Sequence, residues 1–504
     1  MPKTPSRKLF DLIKSLSPAE KRYFKVYANK KNDAKNKYLT LFDAIESQQQ
    51  FDDDKLIKVV YGSQNITSRK YSELKAYLYD FILKSLQAYD EKSSVGTKIS
   101  NMMGNVQALY KRGHYEDCKD VLKKVKKVAL QYEEFSHLID ILKWEKWLAH
   151  TTIDVDFLDE QLSRIEEEEK RYFYQLNNLS SYRNIFLKLY LSIKKNRSDD
   201  DLLDEIENLD LIKKKNFQSH RAQVLFYRVK SSLAFARADI NDFYTYSKQL
   251  IEVMESQTHF LGEEASEYIS AISNYCMSCK LTQHYSELEA AIQKFNNVKP
   301  LNYDDKLKIH RQYYQSTFSF CITTGEFEQA KMALQNHLEK INQFDSGLFE
   351  RKSFYFYYSY IHFGCEEYEK ALEYLNHWLS LPKTAERPYY AMLARIFNLI
   401  LHYEMGNVLL LESLTRSTYR FLKKENQLHE MERVFLTFIK KSMKAVSKAE
   451  VKMLFIEFRE HLLKLDESGN AKIGQFDLTA WVDSKIDNIS FAESVKKGYE
   501  VMAY

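Results

Sequence analysis

Cys276 and Cys279 stand at the C-x-x-C spacing used by dithiol and metal sites, and thirteen histidines are available as bases or ligands. Each needs partners to do chemistry. The cysteine pair has no second pair at metal spacing and falls inside an amphipathic helical stretch, so it reads as two core thiols. The histidines are dispersed. Gly469 and Gly474 have the spacing of a phosphate loop, but Gln475 stands where the phosphate-gripping lysine belongs. Asp466, Ser468, Asn470 and Asp477 fall at calcium-loop positions, yet Ala471 replaces the turn glycine and the terminal bidentate glutamate is missing. That stretch reads as a loop between helices. No Gly-x-Ser-x-Gly elbow, His-Glu-x-x-His pair or glycine-rich dinucleotide fingerprint occurs. Glu166 to Glu169, followed by Lys170 and Arg171, reads as a solvated helix face. The expectation is a chain that is not an enzyme and holds no cofactor and no metal.

The elements that carry these residues are legible from composition. In 504 residues there are only 12 Gly and 6 Pro. A chain so poor in turn formers is all-α, built of long helices. Hydrophobic residues make up 44% and charged residues 29%, the balance of a folded chain and not of a disordered one. No apolar run approaches the roughly 20 residues of a membrane helix, and the N-terminus lacks the apolar core of a secretion signal. Five scattered cysteines make no disulfide framework. These features point to the cytoplasm, with no membrane partner. The net charge of +4 is unevenly placed, since residues 1–37 hold eleven Lys/Arg against Asp11, Glu20 and Asp33.

Helix starts can be placed individually. Ser17-Pro18-Ala19-Glu20 has a serine cap, a proline at the first helical position and a glutamate that completes a capping box. Asp52-Asp53-Asp54 opens a short helix, and a longer one runs from about Thr67 to Ala88 with Leu74, Leu78, Phe81 and Ile82 on one face. Asp90 to Thr97 reads as a linker. Beyond it an aromatic residue follows successive turns at Tyr115, Phe157, Phe243, Tyr285, Phe327 and Tyr368, then Val408, at intervals of 42, 86, 42, 42, 41 and 40 residues. The double interval predicts a further hairpin near residue 200, where Asp199-Asp200-Asp201 starts a short helix. Gly325, Phe327, Ala330 and Gly113, Tyr115, Cys118 repeat one turn–aromatic–small arrangement, and Tyr368, Ala371, Leu375 continue it. A small residue there lets a neighbouring helix approach closely.

This pattern resembles the tetratricopeptide-repeat family over roughly residues 98–466. The resemblance implies a TPR-like α-solenoid of about eight to nine helix hairpins behind a small N-terminal helical domain. The repeat is 41–43 residues where the family has about 34, and the tryptophan near the start of each unit is absent. The domain limits expected are 1–92 for the basic helical domain, 98–466 for the repeats and 467–504 for C-terminal capping helices.

Aligned to the family, the aromatic run Phe354 to Phe363 presents Phe356, Tyr360 and Phe363 to the concave groove, where rings suit peptide or helix binding. The expected function is a non-catalytic adaptor or scaffold binding a protein or peptide through that groove. The alternative is a nucleic-acid-binding regulator or RNA-associated factor. It would use a basic surface of Lys21, Arg22, Lys25, Arg69, Lys70 and Lys75, on a region loosely like a helix-turn-helix.

Overall fold

The computed structural model describes residues 7–29, 37–62, 67–90, 94–195, 200–215, 217–344, 349, 354–380, 387–465, 472–473 and 476–502. They are overwhelmingly helical, with a short antiparallel pairing of Lys472–Ile473 and Phe476–Asp477. The loops read as near misses for phosphate and calcium, at Asp466 to Ala471 and at Gly474 and Gln475, lie outside the described residues, as does part of the Asp90–Thr97 linker.

The helix ends are the repeated device. A residue with positive φ sits two positions before the next helix at Gly113, Glu133, Ile153, Ala238, Gln283, Gly325, Glu366 and Gly406. In most of these turns the following N–H reaches back five residues to a helix carbonyl. Examples are His114 to Leu109, Glu326 to Cys321 and Asn407 to His402, at 2.9–3.1 Å. This is the Schellman closure, in which a left-handed residue turns the chain and satisfies orphan carbonyls. Tyr115, Tyr285, Phe327, Tyr368 and Val408 are each the first residue of a helix. Three positions on, Cys118, Ala330 and Ala371 are fully buried. The Cys118 thiol lies 3.5 Å from the Val106 carbonyl, and Ser359 Oγ donates to the Ala371 carbonyl at 2.6 Å, which measures how closely paired helices approach.

The chain divides into two compact units. The first comprises Met1–Ala238, Glu252–Glu264 and Leu301–Tyr303. Its helices Lys8–Ser15, Pro18–Asn29, Lys37–Ser47, Asp53–Tyr61 and Ser68–Asp90 enclose a core that includes Ile13, Phe24, Phe42, Leu78 and Ile82. The capping box forms: Ser17 N–H donates to Glu20 at 2.6 Å and Glu20 N–H to Ser17 Oγ at 3.3 Å. Helices Val95–Tyr110, Tyr115–Gln131 and Phe135–Thr151 follow, each packed on the next. Glu133 tolerates its left-handed backbone while its carboxylate accepts the His220 and Arg221 N–H groups at 2.6 and 2.8 Å, capping helix His220–Ala236.

The short helix expected near residue 200 is present as Asp200–Asn208, and the helix before it, Val155–Lys194, runs unbroken for 40 residues. The reason is local and tertiary together. No Gly or Pro interrupts residues 155–194, and Tyr172, Leu179, Tyr182, Ile185 and Leu189 keep one buried face throughout. That helix packs on both Phe135–Thr151 and His220–Ala236.

The second unit comprises Asp239–Ile251, Ala265–Pro300 and Asp304–Tyr504. Helices Ala265–Leu281 and Tyr285–Lys294, Tyr303–Thr324 and Phe327–Ile341, Phe354–Gly364 and Tyr368–Ser380, and Arg387–Glu404 and Val408–Lys424 are consecutive in it. Helices Glu430–Ser442 and Lys448–Leu465 follow. One ion pair recurs across both units. Lys119, four residues into its helix, meets Asp154 just before a later helix at 3.1 Å, and Lys331 meets Glu367 in the same relation at 2.7 Å.

The last helices, Leu478–Asp487 and Phe491–Met502, run back over the turns of this unit. The Trp481 indole N–H and Lys485 both bond Glu404 at 2.6 Å. Phe491 lies against Phe327 and Phe363, Lys496 pairs with Glu326 at 2.9 Å, and the Tyr499 ring sits 5.0 Å from that of Tyr285. Gly325 is the point of closest approach. A Cβ there would lie 2.9 Å from the Ala492 carbonyl and the Lys496 nitrogen, whereas one on Gly406, at nearly the same φ, would meet nothing within 4 Å.

Gly325→Ala and Gly406→Ala therefore share the cost of a left-handed alanine, about 1–2 kcal/mol, and differ by the contact with helix Phe491–Met502. The Gly325 variant is expected to lose at least ~1 kcal/mol more in chemical denaturation. Equal losses would show that the C-terminal helix does not press on that turn.

Candidate functional site

The aromatic run proposed from sequence as a groove is core. Every described side chain of helix Phe354–Gly364 except the partly buried Tyr355 is buried, including Phe356, Tyr360 and Phe363 at 5%, 3% and 1% exposure. Phe356 packs edge-on against Trp378, Tyr360 against Phe397, and Phe363 against Phe476 and Phe491. The expectation that these three rings contact a partner is therefore corrected. The rest of the unit, C-terminal segment included, covers the side of the helix that family alignment left open. A helix that is apolar all round has to be enclosed.

Several groups with acid–base character join helices. His310 Nε2 and His337 Nδ1 are 2.9 Å apart, and His337 Nε2 lies 2.5 Å from the Tyr358 hydroxyl. Desolvation pushes His337 down to about 3 and His310 to about 4, so both are neutral and pass a single hydrogen-bond direction along the chain of three. Glu287 accepts from Tyr244 at 2.9 Å, from Lys248 at 3.0 Å and from Tyr275. Desolvation raises its pKa, but these donors outweigh it and hold the carboxyl at about 2. Glu367 is likewise held at about 2, first by Lys331 and also by His362 and Lys370. The thiols of Cys276 and Cys279 are buried and pushed up to about 12 by desolvation, which keeps them protonated and inert. Among the described residues, no three His, Cys, Asp or Glu side chains converge to hold a metal ion.

The basic surface is largely neutralised by its own unit. Lys25 bonds Asp43 and Glu46 at 2.8 Å each, Lys21 lies 3.7 Å from Glu46, and Lys75 pairs with Asp53 at 3.1 Å. Arg69 shares Glu73 one turn away at 2.9 Å. Arg22 and Lys70 are exposed. The structure thus sets the six cations apart by role, with Lys21, Lys25 and Lys75 acting as ties between helices.

A cleft of about 360 Å³ that sequence reasoning missed opens in the first unit. Leu122, Leu148, Ala149 and Phe157, from helices Tyr115–Gln131, Phe135–Thr151 and Val155–Lys194, form its apolar wall. Lys119, Lys123, Lys126 and Arg164 stand with Glu145 and Asp154 on the same lining. Beside Asp154 the turn carries Ile153 and Val155, 80% and 64% exposed. Two aliphatic residues in a short turn, where solvated types are the norm, were the available signal. A β-branched residue at φ 54° is also an outlier, since the left-handed region disfavours it.

No family model, curated protein or solved structure matches the chain. Any functional reading therefore rests on its own residues and geometry.

The histidine pair predicts a pH dependence. Both imidazoles stay neutral in the fold and titrate near 6.5 once released. Unfolding then takes up protons below about pH 6.5 and stability falls as pH drops toward 4. His337→Gln is expected to remove up to ~1.4 kcal/mol per pH unit of that slope, read from denaturation midpoints between about pH 6 and 4. An unchanged slope would mean that His337 is already charged in the fold.

Proposed function

We propose that this chain is a non-catalytic scaffold whose hairpins stack as a tetratricopeptide-like solenoid and that binds another protein, working in the cytoplasm. Support comes first from the cleft beside Ile153: an apolar wall, charges of both signs and two solvent-facing aliphatics in its turn, the make-up of a contact with a peptide or helix. Also in favour is the fate of the titratable groups described above, which are committed to holding helices together. Recurrent turns and buried small residues favour the repeat architecture.

Nucleic-acid binding through the N-terminal helices has weaker support, because Lys21, Lys25 and Lys75 are matched by acids within reach. Phosphate contacts would announce themselves by a steep loss of affinity with salt.

Ile153→Asp with Val155→Asp tests the cleft. Both sites are exposed, aspartate accepts the left-handed turn better than isoleucine, and an acid suits the first turn of a helix, so folding is preserved. Capture of lysate partners by cross-linking and mass spectrometry is expected to lose its main species by about tenfold or more, the cost of a lost hot spot. A folded variant that keeps every partner would remove the cleft as the contact.

A further inference from the structure

Two turns of the second unit push aliphatic side chains into solvent. At the start of helix Val408–Lys424, Val408, Leu409 and Leu410 are 51%, 91% and 47% exposed, and Val446, just before helix Lys448–Leu465, is 95% exposed. Both turns lie at one end of the same packed helices. The Tyr403 ring, near the end of helix Arg387–Glu404, stands 6.5 Å from that of Phe438 near the end of Glu430–Ser442, and 5.9 Å from that of Phe455 in Lys448–Leu465. Packed helices have axes about 10 Å apart, so the two tips can meet one surface together. Lysines surround the second tip. Residues 440–452 hold Lys440, Lys441, Lys444, Lys448 and Lys452 against one acid, Glu450, which accepts the Val446 N–H at 2.9 Å. Lys441 pairs with Glu457 at 2.7 Å. Among the described residues Lys444, Lys448 and Lys452 meet no carboxylate, and all three are exposed. The acids nearest the first tip are matched, Glu412 by Arg416 and Glu404 by Lys485. Exposed Glu366 and Glu369 at the preceding turn mark where the basic surface ends.

We propose that this end of the second unit rests on a membrane surface of anionic lipid, with Leu409 and Val446 entering the acyl boundary and Lys444, Lys448 and Lys452 meeting the headgroups. Two observations select a lipid surface over an acidic protein. The tips are convex, with almost all of the Leu409 and Val446 surface facing solvent, so a partner has to close around each of them. A fluid bilayer does so, and a folded protein would need two matched pockets. Lys444 and Lys448 also flank Val446 in the chain, which holds cations at headgroup level when the valine lies below it. No described helix is long and apolar enough to cross a membrane, and a contact of this kind needs none. The cleft beside Ile153 belongs to the first unit, so the lipid contact can fail with that reading intact.

Co-sedimentation of the full chain with vesicles tests the contact. Retention is expected on phosphatidylcholine containing about 30% phosphatidylserine and not on phosphatidylcholine alone, and it should fall steeply between about 50 and 300 mM salt. Leu409→Ser with Val446→Ser, both at solvent-facing positions, should keep the helical circular dichroism and weaken binding about tenfold. Lys444→Gln with Lys448→Gln should weaken it about tenfold or more. Absence of retention on the anionic vesicles at low salt, or retention indifferent to either double variant, would overturn the proposal. Binding of fluorescent polyglutamate without retention on vesicles would assign this end to an acidic protein and overturn it as well.

Discussion

A single backbone device sets the geometry of this protein: a left-handed residue at the end of a helix, followed by an N–H that bonds a carbonyl five residues back. It stops one helix and allows the next to begin two residues later, so the chain doubles back without a long loop. Once the reversal is in place, the residues opening the second helix and the small ones three positions on are brought against the first. Glycine fills the special position at Gly113, Gly325 and Gly406, and other residues hold it at a conformational cost. At Glu133 that cost has a visible return, because the same side chain caps a distant helix within its unit.

Hairpins made this way have carbonyls, hydroxyls and charges to satisfy where they meet, and the polar residues are distributed accordingly. Glu287 and Glu367 each gather donors from more than one element, and Glu404 takes two from helix Leu478–Asp487. The buried histidines form a relay that ends on a tyrosine hydroxyl. Such networks are stabilising only when every member is matched, and matching them withdraws these groups from solvent and from reactivity. The described surface also carries apolar side chains, at the cleft beside Ile153 and at Phe173, Leu187 and Leu191 of helix Val155–Lys194.

Helix Phe354–Gly364 shows how a distant segment redefines a local face. Its rings point in every direction, and its neighbours in sequence cover only part of the circumference. Phe476 and Phe491 close the remainder, with Gly325 admitting the backbone of the last helix. The surface that looked suited to an outside peptide is filled by the same chain.

Much of the fold was readable before any coordinates. The capping box at Ser17 and Glu20 and the helix starts at Tyr285, Phe327 and Tyr368 follow from interactions within a few residues, and a local pattern suffices to find a local interaction. The shortage of glycine and proline likewise dictates helices wherever they form. Tertiary structure alone decided which faces of those helices see solvent. Phe356, Tyr360 and Phe363 lost theirs to neighbouring helices and a segment far along the chain, Lys21, Lys25 and Lys75 gave their charge to facing acids, and Phe173, Leu187 and Leu191 remained outside. Exposure is a property of what packs opposite a residue, and periodicity within one helix marks a face without naming what will cover it.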